Sequence, residues 1–493
     1  MLFSSMFFIW VFLPLVICGN FILSIMKFPS EESRIRTKNT FLLLSSILFY
    51  AWGNINYLFI MLGSITLNYV GGLLISRSHN FRRSKLFVVI ALNLGLLFVF
   101  KYFNMLVIVL ESILSFEGNV FQLLHNMLSM QGTGALGLPY IVLPIGISFF
   151  TFQAMSYVID VYWGKADVQK NIFDFALYVS FFPQLVAGPI VKYSDIALQL
   201  NKREETISLF VYGQKRFCYG LAKKVLLSNT FAEIADTIWA LEISTMGTSV
   251  SWLGILAYTL QIYYDFSGYS DMAIGIGKML GFHFKENFNY PYTSLSIQEF
   301  WRRWHISLST WFKEYVYIPL GGNRRGKGRT YFNLFVVFFL TGIWHGANFT
   351  FLTWGLWYAV FLILERLFLG TWLKKNPVKI INWIYSILVV MIGWVFFRAD
   401  NLFDAIAYLQ QMFSGSSSTY TVVSFLSMKA VIAFVAGILF AGFVQRPLMG
   451  TYEKIKNRTP VMICDLGIQL ITLAISILMM VSGTYNPFIY FQF

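Results

Sequence analysis

Five histidines are the side chains of this chain best suited to acid–base chemistry, and one of them lies deep in an apolar region. His345 occurs in the segment 340–348, where the apolar run 331–347 meets the run 349–369. Counting from Tyr331 at ~1.5 Å per residue places His345 about 21 Å along a helix through a ~30 Å hydrocarbon core. An ionisable residue at that depth indicates a functional site. Burial also favours the neutral imidazole, the form that a general base requires.

A histidine that only hydrogen-bonds between helices is the alternative interpretation of His345. The remaining histidines carry weaker signals. His79 lies in a charged loop, His125 follows a Gly-Asn break, and His283 follows Gly281 at the end of an apolar run. These three are predicted at the surface or the membrane interface.

His305 lies in the aromatic and basic segment 300–311, which predicts an amphipathic helix. Arg302 and Arg303 are expected near the lipid headgroups. The tryptophans of the segment, Trp301, Trp304 and Trp311, are expected at the aromatic interface. An interfacial anchor therefore competes with a catalytic role for His305. The spacing to His345 allows both rings to face one cavity, but it does not require this.

Two carboxylates form a third candidate group within the apolar stretch 261–271. Asp265 and Asp271 would each cost about 2.5–3.5 kcal/mol at a helix centre, so they should face protein or water. Hydrogen bonding to nearby hydroxyl or indole groups explains them as well as a chemical role does.

The composition requires a membrane protein. Of 493 residues, 57% are hydrophobic and 12% are charged, whereas soluble domains carry roughly 25% charged residues. The length allows on the order of a dozen spans and excludes a soluble enzyme with one anchor. The net charge of +14 is explained by basic cytoplasmic loops rather than by nucleic-acid binding. The cysteines, Cys18, Cys218 and Cys464, predict neither a disulfide framework nor a metal site.

The distribution of basic residues predicts the topology. Residues 1–26 lack the basic start of a signal peptide and should remain as the first span. Two spans within 39–75, turning near 53–56, should connect two basic cytoplasmic stretches. These stretches and two later ones lie at 27–38, 76–85, 302–329 and 374–379.

A further span at 381–398 leads to 399–428, a Ser/Thr/Gly-containing loop that should face outward. A final pair of spans flanks the basic stretch 446–458, so both termini are predicted outside the cytoplasm. The region 101–230 contains apolar runs broken by Gly and Pro. Broken helices at membrane depth line cavities or lie against protein, so a cavity is predicted there.

Several motifs give the chain a specific resemblance. It opens with Met-Leu-Phe-Ser-Ser and contains Phe-Tyr-Ala-Trp at 49–52, Leu-Pro-Ile-Gly-Ile-Ser-Phe at 143–149 and Phe-Pro-Gln-Leu-Val-Ala-Gly-Pro at 182–189. The most specific motifs are Tyr-Asp-Phe-Ser-Gly-Tyr-Ser-Asp at 264–271, Arg-Arg-Trp-His ending at His305, and Trp-His-Gly at 344–346. Over nearly its whole length the sequence resembles the membrane-bound O-acyltransferase (MBOAT) family, and within it the alginate O-acetyltransferase branch.

The resemblance implies an all-α, polytopic fold. About 11–13 transmembrane helices, with re-entrant and amphipathic helices, would surround a central funnel or tunnel. Residues 1–493 would form one transmembrane domain, and 296–330 a cytoplasmic or interfacial amphipathic helix and basic loop within it. The expected location is the plasma or inner membrane of a bacterium.

The resemblance also implies site residues and partners. His345 matches the catalytic histidine, and His305 matches a second position where relatives carry Asn or His. Arg302 and Arg303 could attract an anionic donor, acetyl-CoA or another acyl thioester. Candidates for lining the substrate path are Asp265, Ser267, Tyr269, Asp271, Trp304, Trp344 and Asn348. No metal or bound cofactor is expected.

The expected reaction moves an acetyl group from a cytoplasmic thioester toward hydroxyls of an extracytoplasmic polysaccharide. His345 would take the hydroxyl proton, a contribution of typically 10²–10⁴-fold, while His305 would orient a substrate or polarise the carbonyl. A separate extracytoplasmic acetyl-transfer protein is implied as a partner.

Two alternatives remain open at this level. One is D-alanyl or other acyl transfer to teichoic acid. The other, of a different class, is a proton-coupled glycan exporter that uses Asp265, Asp271, His305 and His345 as a relay.

Overall fold

A computed structural model describes residues 1–77, 80–114, 143–186, 188–456, 458–483 and 485–489. This part of the chain is helical and contains no β-strand, which confirms the all-α prediction. His79 and His125 lie outside the described residues. The helices are α1 (Leu13–Ile25), α2 (Glu31–Ala51), α3 (Ile55–Ser76), α4 (Arg82–Leu97), α5 (Phe103–Leu114), α6 (Ile147–Trp163), α7 (Ile172–Ser180), α8 (Phe182–Leu185), α9 (Tyr193–Asn201), α10 (Ile207–Ala222), α11 (Asn229–Trp239), α12 (Ile243–Met279), α13 (Ile297–Arg303), α14 (Ile306–Phe312), α15 (Lys327–His345), α16 (Phe349–Leu364), α17 (Gly370–Lys375), α18 (Lys379–Arg398), α19 (Leu402–Phe413), α20 (Met428–Ile438), α21 (Gln445–Ile455) and α22 (Thr459–Ser482).

Several helices are joined or extended by π-helical turns. Two of these turns make a long apolar helix continuous, namely Phe8–Phe12 before α1 and Phe98–Tyr102 between α4 and α5. The others lie at Lys223–Ser228, Lys313–Tyr317, Glu365–Leu369 and Leu439–Phe443.

Six helical segments of the described chain are long and apolar enough to cross a membrane. They are Phe8–Ile25, Ile55–Ser76, Arg82–Val107, Phe349–Lys375, Lys379–Arg398 and Thr459–Ser482. A seventh candidate, Met428–Phe443 with Gln445–Ile455, is bent by 69°. The helices α2, α12 and α15 are not among these candidates. The total of 11–13 spans stays a prediction.

The helix boundaries confirm much of the predicted order. The expected hairpin within 39–75 is present as α2 and α3, and the Asn54 side chain caps α3 by accepting the N–H of Asn56 at 2.9 Å. The stretch 399–428, predicted as a loop, contains α19. Asn401 begins that helix by accepting the N–H of Asp404 at 3.0 Å, an N-cap pair that favours a helix start.

The two terminal segments lie together. The side chain of Asn486 donates to the Ser4 hydroxyl at 3.0 Å, and the backbone N–H of Ile489 donates to Asp265 at 2.8 Å. The ends of the described chain are therefore tied to each other and to α12. Their orientation relative to the cytoplasm stays a prediction.

Paired glycines bring α10 and α12 into close contact. A Cβ atom on Gly213 would lie 2.5 Å from the carbonyl oxygen of Gly275, and one on Gly275 would lie 2.6 Å from that of Gly213. Gly220 and Gly268 form a second reciprocal pair, at 2.6 and 2.8 Å. Small residues at such positions let helix backbones approach within a membrane. This contact holds α12 in the interior, where its carboxylates and aromatic rings meet the rest of the protein.

Replacing Gly275 with alanine should separate these helices. We expect Gly275→Ala to destabilise the protein by about 1–3 kcal/mol, as overpacking a tight contact does. Gly467→Ala in α22 is the matched control because a Cβ there meets no atom within 4 Å. Thermal unfolding in detergent should show a lower midpoint for Gly275→Ala and no loss for Gly467→Ala. Equal midpoints would contradict the proposed packing.

Candidate active site

His345 is the last residue of α15, and a tight helix hairpin holds it inside the protein. A Cβ on Gly342 would lie 2.6 Å from the carbonyl oxygen of Phe351, and one on Gly355 would lie 3.1 Å from the Cα of Gly342. The close packing of α15 on α16 that these glycines allow leaves His345 only 6% exposed. His345 is therefore buried in protein, and its depth in the membrane stays a prediction.

Aromatic rings surround the His345 imidazole on several sides. Its centroid lies 4.9 Å from Trp344, 4.7 Å from Trp354 and 5.1 Å from Phe397, each in an edge-to-face arrangement. No residue of the described chain forms a hydrogen bond with the imidazole. The rings therefore fix the plane of His345, while its nitrogens remain available to a substrate. The alternative of a histidine that is hydrogen-bonded between helices does not fit this geometry.

A small cavity of about 50 Å³ lies beside His345. By volume it has room for about three or four water molecules, so it could accept the reacting end of a substrate rather than a whole donor. It is lined by Lys101, Leu143, Pro144, Ile145, Gly146, Ile147, Ser148, Phe149, Val186, Trp344 and His345. The Gly- and Pro-broken segment before α6 thus meets the end of α15, as expected for a broken helix that lines a cavity.

Two residues from the π-helical turn Phe98–Tyr102 bind the carboxyl end of α15. The ammonium group of Lys101 donates to the carbonyl oxygen of Trp344, and the Tyr102 hydroxyl donates to that of Ile343. Lys101 also donates to the Ser148 hydroxyl at 3.4 Å. The last carbonyl groups of a helix lack partners within it and attract cations. Lys101 and Ser148 were missed by the sequence reasoning, although a single lysine inside an apolar span is itself a signal.

The predicted amphipathic helix over 300–311 is wrong in two respects. The helix breaks at His305, whose φ of 44° and ψ of 54° are left-handed, so α13 and α14 are separate. The expected interfacial tryptophans are buried in protein, with Trp301 at 9%, Trp304 at 4% and Trp311 at 4% exposure. The Trp311 indole, for example, donates to the carbonyl oxygen of Phe152 at 3.0 Å.

The sequence before His305 supports the short helix α13. The Ser296 hydroxyl accepts the N–H of Glu299 at 3.1 Å, and the Glu299 carboxylate accepts the N–H of Leu295 at 3.0 Å. These contacts resemble a capping box. Glu365 accepts two further N–H groups at the start of α13, from Ile297 at 2.6 Å and Gln298 at 2.9 Å. Side chains therefore satisfy the start of α13 inside the protein.

Asn287 orients His305. Its side-chain oxygen accepts hydrogen bonds from the backbone N–H of Ser307 at 3.1 Å, the Ser307 hydroxyl at 2.9 Å and Nδ1 of His305 at 3.2 Å. Because that oxygen only accepts, Nδ1 of His305 carries the proton, as assigned from the network. In the neutral ring Nε2 is then an acceptor, and this buried atom has no partner among the described residues. Asn287 also donates to Ser270 of α12 at 3.1 Å.

The Trp344 indole lies between the two histidines. Its ring centroid is 4.9 Å from that of His345 and 6.3 Å from that of His305. Phe266 of α12 also packs on His305, with ring centroids 4.6 Å apart. Among the residues that line the small cavity are His345 and Trp344, but not His305. The structure thus brings both histidines to one aromatic cluster and places only His345 at the cavity itself.

The predicted site residues of α12 are two ion-paired carboxylates and two buried hydroxyl groups. Asp265 forms an ion pair with Lys224 at 2.5 Å, and Asp271 forms ion pairs with Arg216 at 2.8 Å and Lys223 at 2.6 Å. These carboxylates are neutralised by neighbouring helices. Ser267 and Tyr269 are buried, and their hydroxyl groups have no hydrogen-bond partner in the described part of the chain.

Asn348 and the two arginines have identifiable structural contacts. The Asn348 side chain accepts the N–H of Thr350 at 3.1 Å and so caps α16. Arg303 forms an ion pair with Glu299 at 2.7 Å, whereas Arg302 is exposed. Trp304 packs on Trp394 at 5.0 Å, away from the lining of the small cavity. Roles in substrate binding for these residues stay predictions.

Comparison with known proteins identifies the family. Residues 165–399, which include both histidines, match the membrane-bound O-acyltransferase family profile. The chain is 40% identical over 517 residues to the probable alginate O-acetylase AlgI of Pseudomonas putida, with 100% of each chain covered. The chain belongs to the membrane-bound O-acyltransferase family. It is therefore an O-acyltransferase, and its apolar helices make it a multi-pass bacterial membrane protein.

Two further relatives are named as enzymes of O-acetylation. The probable alginate O-acetylase AlgI of Pseudomonas aeruginosa is 45% identical over 418 residues, covering 84% of this chain and 75% of the relative. The peptidoglycan O-acetyltransferase of Helicobacter pylori is 36% identical over 448 residues, covering 84% of this chain and 80% of the relative. The similarity to the alginate O-acetylases confirms the branch that the motifs predicted.

Asn287 should support catalysis by orienting the His305 ring. Asn287→Ala leaves buried donors without an acceptor, which costs about 1–3 kcal/mol per group, and frees the His305 ring to rotate. We expect a lower unfolding midpoint and a lower kcat. Asn287→Asp keeps an acceptor oxygen and should recover part of the kcat. The matched control is Asn289→Ala, at an exposed position, which should change neither. Equal kcat for Asn287→Ala and Asn287→Asp would argue against the orienting role.

Proposed function

We propose that this O-acyltransferase moves acetyl groups from a cytoplasmic thioester toward hydroxyl groups of an extracytoplasmic polysaccharide. Acetyl-CoA fits the donor role, and a separate extracytoplasmic transfer protein would complete delivery to the polymer. The names of the relatives support acetyl transfer and a polysaccharide acceptor. The observation that carries the chemistry is the His345 imidazole, held by aromatic rings beside a small cavity in the protein interior.

The described residues suggest a sequence of proton and bond changes. His345 takes the proton of an acceptor hydroxyl while its oxygen attacks the thioester carbonyl carbon. The carbonyl oxygen becomes an oxyanion, and the Lys101 ammonium and the Ser148 hydroxyl line the same cavity and can stabilise it. The C–S bond then breaks, the ester forms, and the thiolate takes the proton from His345.

His305 would support this reaction by orienting a substrate. The hydrogen bond from its Nδ1 to Asn287 leaves Nε2 of the neutral ring as an acceptor. An acceptor can hold a hydroxyl or N–H group of a substrate, whereas polarising a carbonyl requires a donor. Of the two roles that the sequence left open, the geometry favours orientation.

The two alternatives make different demands on the structure. An exporter relay through Asp265 and Asp271 would require carboxylates that exchange protons, yet both are held in ion pairs by Lys224, Lys223 and Arg216. D-alanyl transfer would use the same histidine and differs in the acyl group and in the acceptor, teichoic acid. Donor choice therefore separates that alternative, and a requirement for a proton gradient separates the exporter.

Removing the His345 base should abolish transfer. In inside-out vesicles without a proton gradient, labelled acetyl-CoA should release thiol and label an acceptor glycan. His345→Ala should lower the rate by at least about 10²-fold, the lower bound for loss of a general base, with normal insertion and folding. His283→Ala replaces an exposed histidine and should keep full activity. Normal acetylation by His345→Ala would remove this residue from the mechanism. Transfer from D-alanyl thioesters alone would select the teichoic acid alternative.

Lys101 should affect the rate more than substrate binding. Lys101→Met removes the cation from the cavity, and we expect kcat to fall by about 10²–10³-fold, as for loss of an oxyanion donor, with little change in KM. Lys101→Arg keeps the charge and should recover part of the kcat. A rise in KM with unchanged kcat would instead indicate that Lys101 only shapes the binding site.

A further inference from the structure

A second cavity has a volume of about 600 Å³. It shares no lining residue with the small cavity beside His345. It lies between α1, α2 and the start of α10. Its lining consists of Ile17, Cys18, Asn20, Phe21, Ile22, Ser24, Glu31, Arg34, Ile35, Lys38, Arg203, Glu205, Thr206, Ile207, Phe210 and Met279. The charged residues come from α2 and the segment before α10, and the apolar residues come mainly from α1 and α10.

Some hydrogen-bond donors among the polar residues of this cavity have no acceptor among the described residues. Lys38 pairs with Glu205, and the Arg203 guanidinium donates to Glu205 at 3.2 Å and to Asn39 at 2.5 Å. Lys38 and Arg203 hold the pKa of Glu205 below its usual value although burial opposes this, so its carboxylate is charged. Nη2 of Arg203 and Nε of Arg34 are nevertheless buried without a partner among the described residues.

These unpartnered donors are buried atoms of residues that line the cavity. The Arg203 side chain is only 3% exposed, and a buried guanidinium N–H without an acceptor is costly. The lining carries three cations, Arg34, Lys38 and Arg203, and two carboxylates, Glu31 and Glu205. The local net charge of +1 suits one singly charged anion, and guanidinium groups are well shaped to bind phosphate oxygens.

Apolar side chains, several of them exposed, form the rest of the cavity lining. Phe21 is 63% exposed, Ile22 is 52% exposed and Ile207 is 84% exposed. The first two lie on the apolar span Phe8–Ile25, whose mean hydropathy is 2.3. Exposed side chains of such a helix face lipid. The cavity thus combines a cationic group with apolar side chains that are accessible at the surface of a membrane span.

We propose that this cavity binds one anionic phospholipid, with its phosphodiester on Arg203 and Arg34 and an acyl chain along the α1 and α10 side chains. A free phosphate, or the phosphates of a thioester donor, would share the charge chemistry but would leave the apolar lining uncovered. The bound lipid would join the α1–α2 hairpin to α10, which packs through its glycines on α12. This site is independent of the acyl-transfer chemistry.

Lipid retention tests the proposal. The full chain is reconstituted in phosphatidylcholine vesicles with and without phosphatidylglycerol, extracted, and analysed for bound lipid by native mass spectrometry. Arg34→Gln should lower phosphatidylglycerol retention about fivefold, the contribution of one basic residue near an anionic lipid. Arg36→Gln is the matched control on the same helix, because Arg36 is exposed, pairs with Glu32 and does not line the cavity.

A second variant tests the apolar lining without a change in charge. Cys18 lines the cavity and is exposed, while Cys464 is exposed on α22. Cys18→Trp should reduce phosphatidylglycerol retention by filling the cavity, and Cys464→Trp should not. Equal retention by Arg34→Gln and Arg36→Gln would overturn the site. Retention that is unaffected by Cys18→Trp but lost on adding inorganic phosphate or free CoA would overturn the lipid assignment in favour of a small anion.

Discussion

The proposed chemistry requires an imidazole that is enclosed by protein and still keeps a nitrogen for its substrate. The arrangement around His345 meets both conditions. Aromatic rings, which need no hydrogen bond from the histidine, supply the enclosure. Its position at the last residue of α15 places it where helix carbonyl groups require outside donors. Lys101 and Tyr102 supply those donors from another span, so the contact that completes the helix end also brings a cation to the cavity.

Side chains also satisfy backbone groups at the break between α13 and α14. An interrupted helix leaves backbone N–H and carbonyl groups that lipid cannot satisfy. Asn287 accepts from the backbone of Ser307 and from His305 with one oxygen. Glu365 accepts the free N–H groups at the start of α13. The break can therefore exist in the interior, and it turns the His305 ring toward the aromatic cluster instead of the membrane surface.

Cations of neighbouring segments compensate the two buried carboxylates of α12. The sequence makes Asp265 and Asp271 candidates for a chemical role, yet both form ion pairs with lysines of the segment between α10 and α11. Their ion pairs fix α12 against that segment, and Asp265 also accepts the backbone N–H of Ile489. Their main contribution is thus to position the helix that packs Phe266 on His305.

Much of this protein follows from the sequence alone. Composition determined that it spans a membrane, helical hairpins followed from apolar runs and turn residues, and the motif around His345 indicated a buried histidine. These features depend on residues that are close in sequence, so a local pattern is sufficient to predict them.

Only the tertiary structure decided the partners of those residues. Lys101 meets Trp344 across 243 positions, and Asn287 sets the proton position on His305 from a neighbouring loop. The tryptophans around His305 have the composition of an interfacial helix, but packing against Phe152 and Trp394 buries them. Contacts between distant segments leave no periodic signal in one sequence, because each side chain is compatible with several neighbours until the helices pack.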